Sequence, residues 1–225
     1  LINWDETLVR LHYAPGKGYA ASRAVLCHKG SVEVNTSVSR GQMRQCMTHV
    51  GLICDDASLQ PLLPQIIIGN EHTLKAQELE ALHKLVPDNV RIWRRKSAWM
   101  SEKTCKEVLS ALHNSIRGVQ KNRQVVLMLD ACSCHMNPSF LEGCWRREIW
   151  VIFIPAKMAW LLQPLDTHAF SRYKAFINTD YRRSIMKCKS SQPCTITRIA
   201  VRGIGRAVLS VLQKHAWKDA FASNG

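Results

Sequence analysis

The chain has 225 residues, 46% of them hydrophobic, enough to bury the core of one large domain, or of one domain with a small appendage. The 31 Lys plus Arg outnumber the 17 Asp plus Glu and give a net charge of +14, which points to a polyanionic partner: nucleic acid first, an anionic membrane surface second. Intrinsic disorder is excluded by the apolar content, a membrane-spanning helix by the lack of any run of about 18 apolar residues, and a small disulfide-framed secreted fold by 9 cysteines in no repeated spacing, which read instead as reduced and intracellular.

In chain order, 1–12 reads as a strand with Asp5 and Glu6 in its middle. Two adjacent acids in an apolar strand are costly unless paired or bound to a cation. Residues 14–24 read as a Gly-containing loop. Its PGKG (15–18) is too short for a phosphate loop and lacks the following Ser or Thr, so nucleoside triphosphate binding is rejected. Strands are predicted at 43–54 and 59–68, with a turn at Asp55, Asp56 and Ala57. Leu79, Leu82 and Val86 give helical spacing over 74–86, ended by Pro87. The segment 90–101 is basic and rich in Trp. A helix follows over about 102–117, with Ser101 as N-cap, Cys105, Val108, Leu109, Leu112 and Ile116 as apolar stripe, and Gly118 as C-cap.

Residues 125–130 (VVLMLD) form an apolar run ending in an acid, the pattern of a central strand covered on both faces. Asn137 and Pro138 start a short helix. Residues 149–154 read as another buried strand, ended by Pro155, and a loop runs from Ala156 to Leu165. A long helix begins near Asp166, with Ala169, Phe170, Tyr173, Phe176, Ile177 and Tyr181 on its apolar face. A linker at 188–195 and an amphipathic helix over about 196–217 close the chain. The order implies a mixed sheet with helices packed on it, an α/β domain.

Three acids stand out by position: Asp5 in the first strand, Asp130 at the end of the central strand, Asp166 at the start of the long helix. Strand ends and helix starts converge at one edge of an α/β sheet. Carboxylates suit Mg²⁺ or Mn²⁺, and two such ions can clamp the attacking and leaving oxygens of a phosphoryl transfer. Spacing alone leaves the structural reading open: Asp130 as a turn residue and Asp166 as a helix cap.

The surrounding motifs bear on that choice. VVLMLDACSCH (125–135), IWVIFIPAKMAWLLQPLD (149–166), HAFSRYKAF (168–176), NWDET (3–7) and WMSE (99–102) together resemble the pogo and mariner-type DDE transposases over most of residues 1–182. The shared landmarks are Asp130, His135 five residues on, Pro155, Gln163-Pro164-Leu165-Asp166 and the pair Tyr173-Lys174. The resemblance implies an RNase H-like mixed sheet flanked by helices over 1–187, followed by a linker and C-terminal helix over 188–225. It implies DNA strand cleavage and joining with two Mg²⁺ or Mn²⁺ ions held by Asp5, Asp130 and Asp166, with Glu6 and His135 beside the site. DNA is the expected partner, with a second copy of the chain as a further one, and the nucleus is the expected location. The chain is expected to be part of a longer protein whose N-terminal part carries a separate DNA-binding module. Two departures favour a domesticated, catalytically weak DNA-binding protein as the alternative: Ala131 where the family has Asn, and Met158-Ala159-Trp160 before QPLD.

Phosphate contacts are expected from Arg91, Arg94, Arg95 and Lys96, with Trp93 and Trp99 available for stacking, and from Arg172, Lys174, Arg182 and Arg183 on the long helix. Cys132, Cys134 and His135, with Cys144 as a fourth ligand, invite a zinc reading. Their spacing departs from the paired pattern of structural zinc, so small buried thiols near the acidic edge are the expectation.

Overall fold

A computed structural model describes residues 1–10, 46–120, 123–188 and 192–224. The predicted loop at 14–24, the ends of the first and second predicted strands (11–12 and 43–45) and part of the linker at 188–195 lie outside the described residues.

The strands are β1 (Ile2–Arg10), β2 (Cys46–Cys54), β3 (Gln65–Asn70), β4 (Val90–Arg95), β5 (Val125–Asp130) and β6 (Ile149–Ile154). They form one mixed sheet in the order β4-β3-β2-β1-β5-β6. β1 with β2 and β2 with β3 are antiparallel; the other neighbours are parallel. The helices are α1 (Leu79–His83), α2 (Glu102–Gln120), α3 (Pro138–Trp145), α4 (Ala159–Leu162), α5 (Phe170–Lys187), α6 (Pro193–Ala207) and α7 (Lys218–Ser223). They pack on both faces of the sheet, as expected for an RNase H-like α/β fold.

Alternation along the strands divides the core in two. Met47 and Ile53 of β2 and Ile67 of β3 face α5, α6 and α7. Val50, Leu52, Ile66 and Ile68 face α2 and α3, where Cys105, Val108, Leu109, Leu112, Phe140 and Cys144 are buried. Each fully buried Leu or Ile contributes about 1.5–3 kcal/mol, so both layers hold the sheet firmly. α6 carries Ala200, Val201 and Ile204 into the same core as α5.

Several expectations are corrected. The segment 59–68 is a strand only from Gln65. Pro61 lies in a 3-10 turn at Gln60–Leu62, where its missing N–H costs no ladder bond. The helix predicted over 74–86 shortens to a 3-10 turn at Ala76–Glu78 followed by α1. Ser101 does cap α2, its hydroxyl accepting from the Thr104 N–H at 3.2 Å, but Gly118 lies inside the helix, which runs to Gln120. β6 is an edge strand, not a buried one. Trp150 is 66% and Ile152 47% exposed, because the α5–α7 layer does not extend over it. The loop from Ala156 to Leu165 contains α4. Leu165–Ala169 is a wide π turn that hands over to α5 at Phe170. The last predicted helix is split: α6 starts earlier, at Pro193, a π segment at Val208–Gln213 continues it, and α7 follows Trp217.

Candidate active site

The period of two along β1 sends its adjacent acids to opposite faces. Asp5 shares a face with Asn3, Thr7 and Val9, on the side of α5; Glu6 shares the other with Ile2 and Trp4. β1 pairs with β5 only at Ile2↔Leu127 and Asn3↔Met128. Counting on along both strands sets Asp5 level with Asp130, just past the point where the ladder opens.

Asn3 ties this opening to the third acid. It is fully buried. Its amide donates to the Met128 carbonyl at 3.2 Å and its Oδ1 accepts from the Leu165 N–H at 2.9 Å. One side chain thus joins β1, β5 and the π turn, two residues before Asp5, two before Asp130 and one before Asp166. Gly51 makes the close approach possible. It stands opposite Asp5 on β2, and a Cβ there would lie 3.0 Å from Phe170 Cε1 and 3.6 Å from Leu165 Cδ2. Neither Asn3 nor Gly51 was singled out as a functional residue from the sequence. Asn3 carried a signal, its place two before Asp5 in NWDET; Gly51 carried none.

The charges show how the acids meet. Burial pushes the Asp5 carboxyl up to about 8, with the negative charges of Asp166, Glu6 and Asp130 adding to it. Asp166 is also raised, first by lost solvation and then by Asp130, against the pull of Lys174. Asp130 is lowered, chiefly by its hydrogen bond with His135: His135 Nδ1 stands 2.7 Å from Asp130 Oδ1. Burial opposes a charged His135 ring. Its hydrogen bond to Asp130, with the nearby Cys105, Cys132 and Glu6 adding to it, nonetheless carries its pKa above the ordinary imidazole range. His135 is fully enclosed by Trp4 and Phe140, with ring centroids 5.2 and 5.9 Å away. Its Nε2 is 3.6 Å from Glu6 Oε1, which also accepts from Trp4 Nε1 at 2.8 Å.

Asp5, Asp130 and Asp166 therefore sense one another's charge at one edge of the sheet, with His135 behind Asp130. Among the described residues, the groups of three whose ligand atoms lie within 4.8 Å of one another are Asp130–Cys132–His135 and Cys105–Cys134–His135. The three acids form a wider corner. As a donor set they fit a hard divalent cation: all oxygen, and carrying a mutual repulsion that a cation would relieve.

The basic residues divide. Lys174 stands near Asp166 electrostatically, with Nζ 5.6 Å from the Phe170 ring. Arg172 and Arg183 are exposed on α5. On β4, Arg94 pairs with Glu71 at 3.3 Å, and Arg95 pairs with Glu107 at 2.6 Å while lying over the Trp93 ring. Both are engaged within the fold. β4 is the far edge strand, three strands or roughly 14 Å from β1 at the usual strand spacing. Arg91 shares that strand, Lys96 is exposed just beyond it, and Trp99 is 71% exposed.

A family model for the DDE superfamily endonuclease matches residues 48–223, well over half of the chain. The chain belongs to the DDE superfamily endonucleases. The matched part of this DDE domain runs from β2 to α7 and holds Asp130 and Asp166, while Asp5 lies before it. Domains of this superfamily process DNA and generally use divalent metals. No curated protein and no solved structure matches the chain. No described helix of the DDE domain is long and apolar enough to cross a membrane.

Proposed function

We propose that the chain is the catalytic core of a pogo or mariner-like transposase, cleaving and joining DNA strands at the corner formed by Asp5, Asp130 and Asp166. The observation that carries this reading is the convergence of the acids: the β1–β5 register sets Asp5 level with Asp130, and Asn3 ties both strands to the turn that holds Asp166, where burial and the neighbouring acids push the Asp5 carboxyl up to about 8. A buried acid facing other acids is unstable by itself and suited to a cation. Asp5, Asp130 and Asp166 would hold Mg²⁺ or Mn²⁺, which when bound would polarise the scissile phosphate and lower the pKa of a bound water.

The chain's own groups do the rest. Asn3 holds the three backbone segments in register. His135 donates toward Asp130, keeping that carboxylate ionised and oriented. Lys174 offsets charge beside Asp166, and Arg172 and Arg183 lie on the same helix, where a phosphate backbone would run. The same reading sets the protein where chromosomal DNA is, in the nucleus, and pairs it with a second copy where two DNA ends are handled together.

The test is nicking of supercoiled DNA by the purified chain in Mg²⁺ or Mn²⁺, with Asp130→Asn as the inactive control. Folded protein that nicks DNA with neither ion overturns the catalytic reading. Ala131, beside Asp130 where the family resembled has Asn, favours a second reading, a DNA-binding protein with weakened catalysis. That reading requires salt-sensitive DNA binding, falling by about 10³-fold or more between low and moderate salt if many phosphates are contacted.

A further inference from the structure

Behind Asp130 lies a second cluster, of which the DNA chemistry uses His135 alone. Cys105 Sγ on α2, Cys134 Sγ and a ring nitrogen of His135 lie within 4.8 Å of one another. Cys132 Sγ is 3.1 Å from Cys134 Sγ, and it also stands within 4.8 Å of Asp130 and the His135 ring. Cys105 and His135 are fully buried, while Cys132 and Cys134 are partly open, which leaves a path from solvent. His135 Nε2 is buried and makes no hydrogen bond, whereas Nδ1 is committed to Asp130. The turn is fixed by the Met136 N–H donating to the Cys132 carbonyl at 3.0 Å. Cys144, the fourth ligand suggested by the sequence, stands outside these groups, buried against the α2 core.

We propose that Cys105, Cys132, Cys134 and His135 form a tetrahedral zinc site that clamps the turn after β5 onto α2. Three thiols and an imidazole are the donors zinc prefers, and they do not suit Mg²⁺. Ligand atoms around tetrahedral zinc stand roughly 3.5–3.8 Å apart, given Zn–S of about 2.3 Å and Zn–N of about 2.0 Å. The Cys132–Cys134 spacing of 3.1 Å lies just below that range and the spacings within the Cys105–Cys134–His135 group reach at most 4.8 Å, so side-chain rotation would bring Cys132 into one site with that group. A ligating histidine that donates its other ring N–H to a carboxylate has its orientation fixed, and the Nδ1 contact with Asp130 supplies such a partner. On binding, each ligating thiol gives its proton to solvent and becomes a thiolate, and nothing is oxidised. The ion would thereby steady Asp130 from behind without entering the acidic corner.

Cobalt(II) tests this directly. The full chain, reduced and stripped with chelator, is titrated with Co²⁺ in excess Mg²⁺. The expected result is a near-ultraviolet thiolate-to-cobalt band with tetrahedral visible bands, saturating at one equivalent and bleached by Zn²⁺. Cys134→Ser and Cys105→Ala should lose most of that intensity. Cys144→Ser and Asp5→Asn should keep it, which separates this site from the acidic one. No thiolate band from folded wild-type protein overturns the proposal, and so does a band of undiminished intensity in Cys134→Ser, a substitution at a partly exposed position.

Discussion

Asp5 and Glu6 are neighbours in the chain, yet they serve two different environments. On the α5 face, acid meets acid: Asp5 is driven up to about 8 and Asp166 is raised with it. On the α2 face, Glu6 and Asp130 meet an imidazole, and Asp130 is lowered. One strand end thus separates an uncompensated corner from a compensated pocket, and Asp130 belongs to both. The difference shows that a net charge of +14 says little about any one site. Two of the four basic residues around β4 are spent on Glu71 and Glu107, on the far side of the sheet.

The strongest way to break this comparison is Asp130→Asn. DNA nicking should fall below detection, while the cobalt–thiolate band of the pocket persists. Loss of both would mean that the two sides are one site.

Next comes pH. The folded state holds the Asp5 proton more tightly than the unfolded chain does, its carboxyl rising from 3.8 to about 8. The associated stability is complete below the unfolded value and is lost as pH rises through that window, by at most about 1.4 kcal/mol per pH unit. Buried His49, lowered from 6.5 to about 3, acts in the opposite sense, so the decline is read as the difference between wild type and Asp5→Asn in urea denaturation of metal-free protein, and Mn²⁺ should flatten it. Asp130, being lowered, acts in the opposite sense: its contribution is present above its ordinary value of 3.8 and is lost as pH falls. A difference between wild type and Asp5→Asn that stays constant from pH 4 to 8 would show that Asp5 is not confined among acids.

Asn3→Ala sharpens the geometry. It leaves the Leu165 N–H and the Met128 carbonyl without their partner, costing about 1–3 kcal/mol in chemical denaturation. It should also lower kcat for nicking more than it raises KM. Gly51→Ala should cost about 1 kcal/mol, since the Phe170 ring must yield by a few tenths of an ångström. The smallest effect is Lys174→Ala, under about 1 kcal/mol in stability because the amine is solvent-screened, read as slightly weaker, less salt-dependent DNA binding.

Much of the layout was legible in the sequence because local rules govern it. VVLMLD is an apolar run ended by an acid, and it is β5. The stripe from Ala169 to Tyr181 is the apolar face that α5 buries or half-buries. His135 was legible from its place five residues after Asp130. Cys105 was read as one more apolar residue in a helix stripe; nothing local distinguishes a core thiol from one that faces a distant imidazole. The exposure of Trp150 and Ile152 was hidden for a similar reason, since an apolar strand looks the same whether one face or both are covered.

The sequence by itself determined the α/β class, the three acids on their elements and the opposite facing of Asp5 and Glu6, because side-chain alternation and helix periodicity are properties of a few consecutive residues. Only the tertiary structure decided that Asn3 joins three segments, that Gly51 admits Phe170, and that Cys105 meets Cys134 and His135. Those contacts depend on which strands become neighbours, and strand order is set by the packing of the whole sheet.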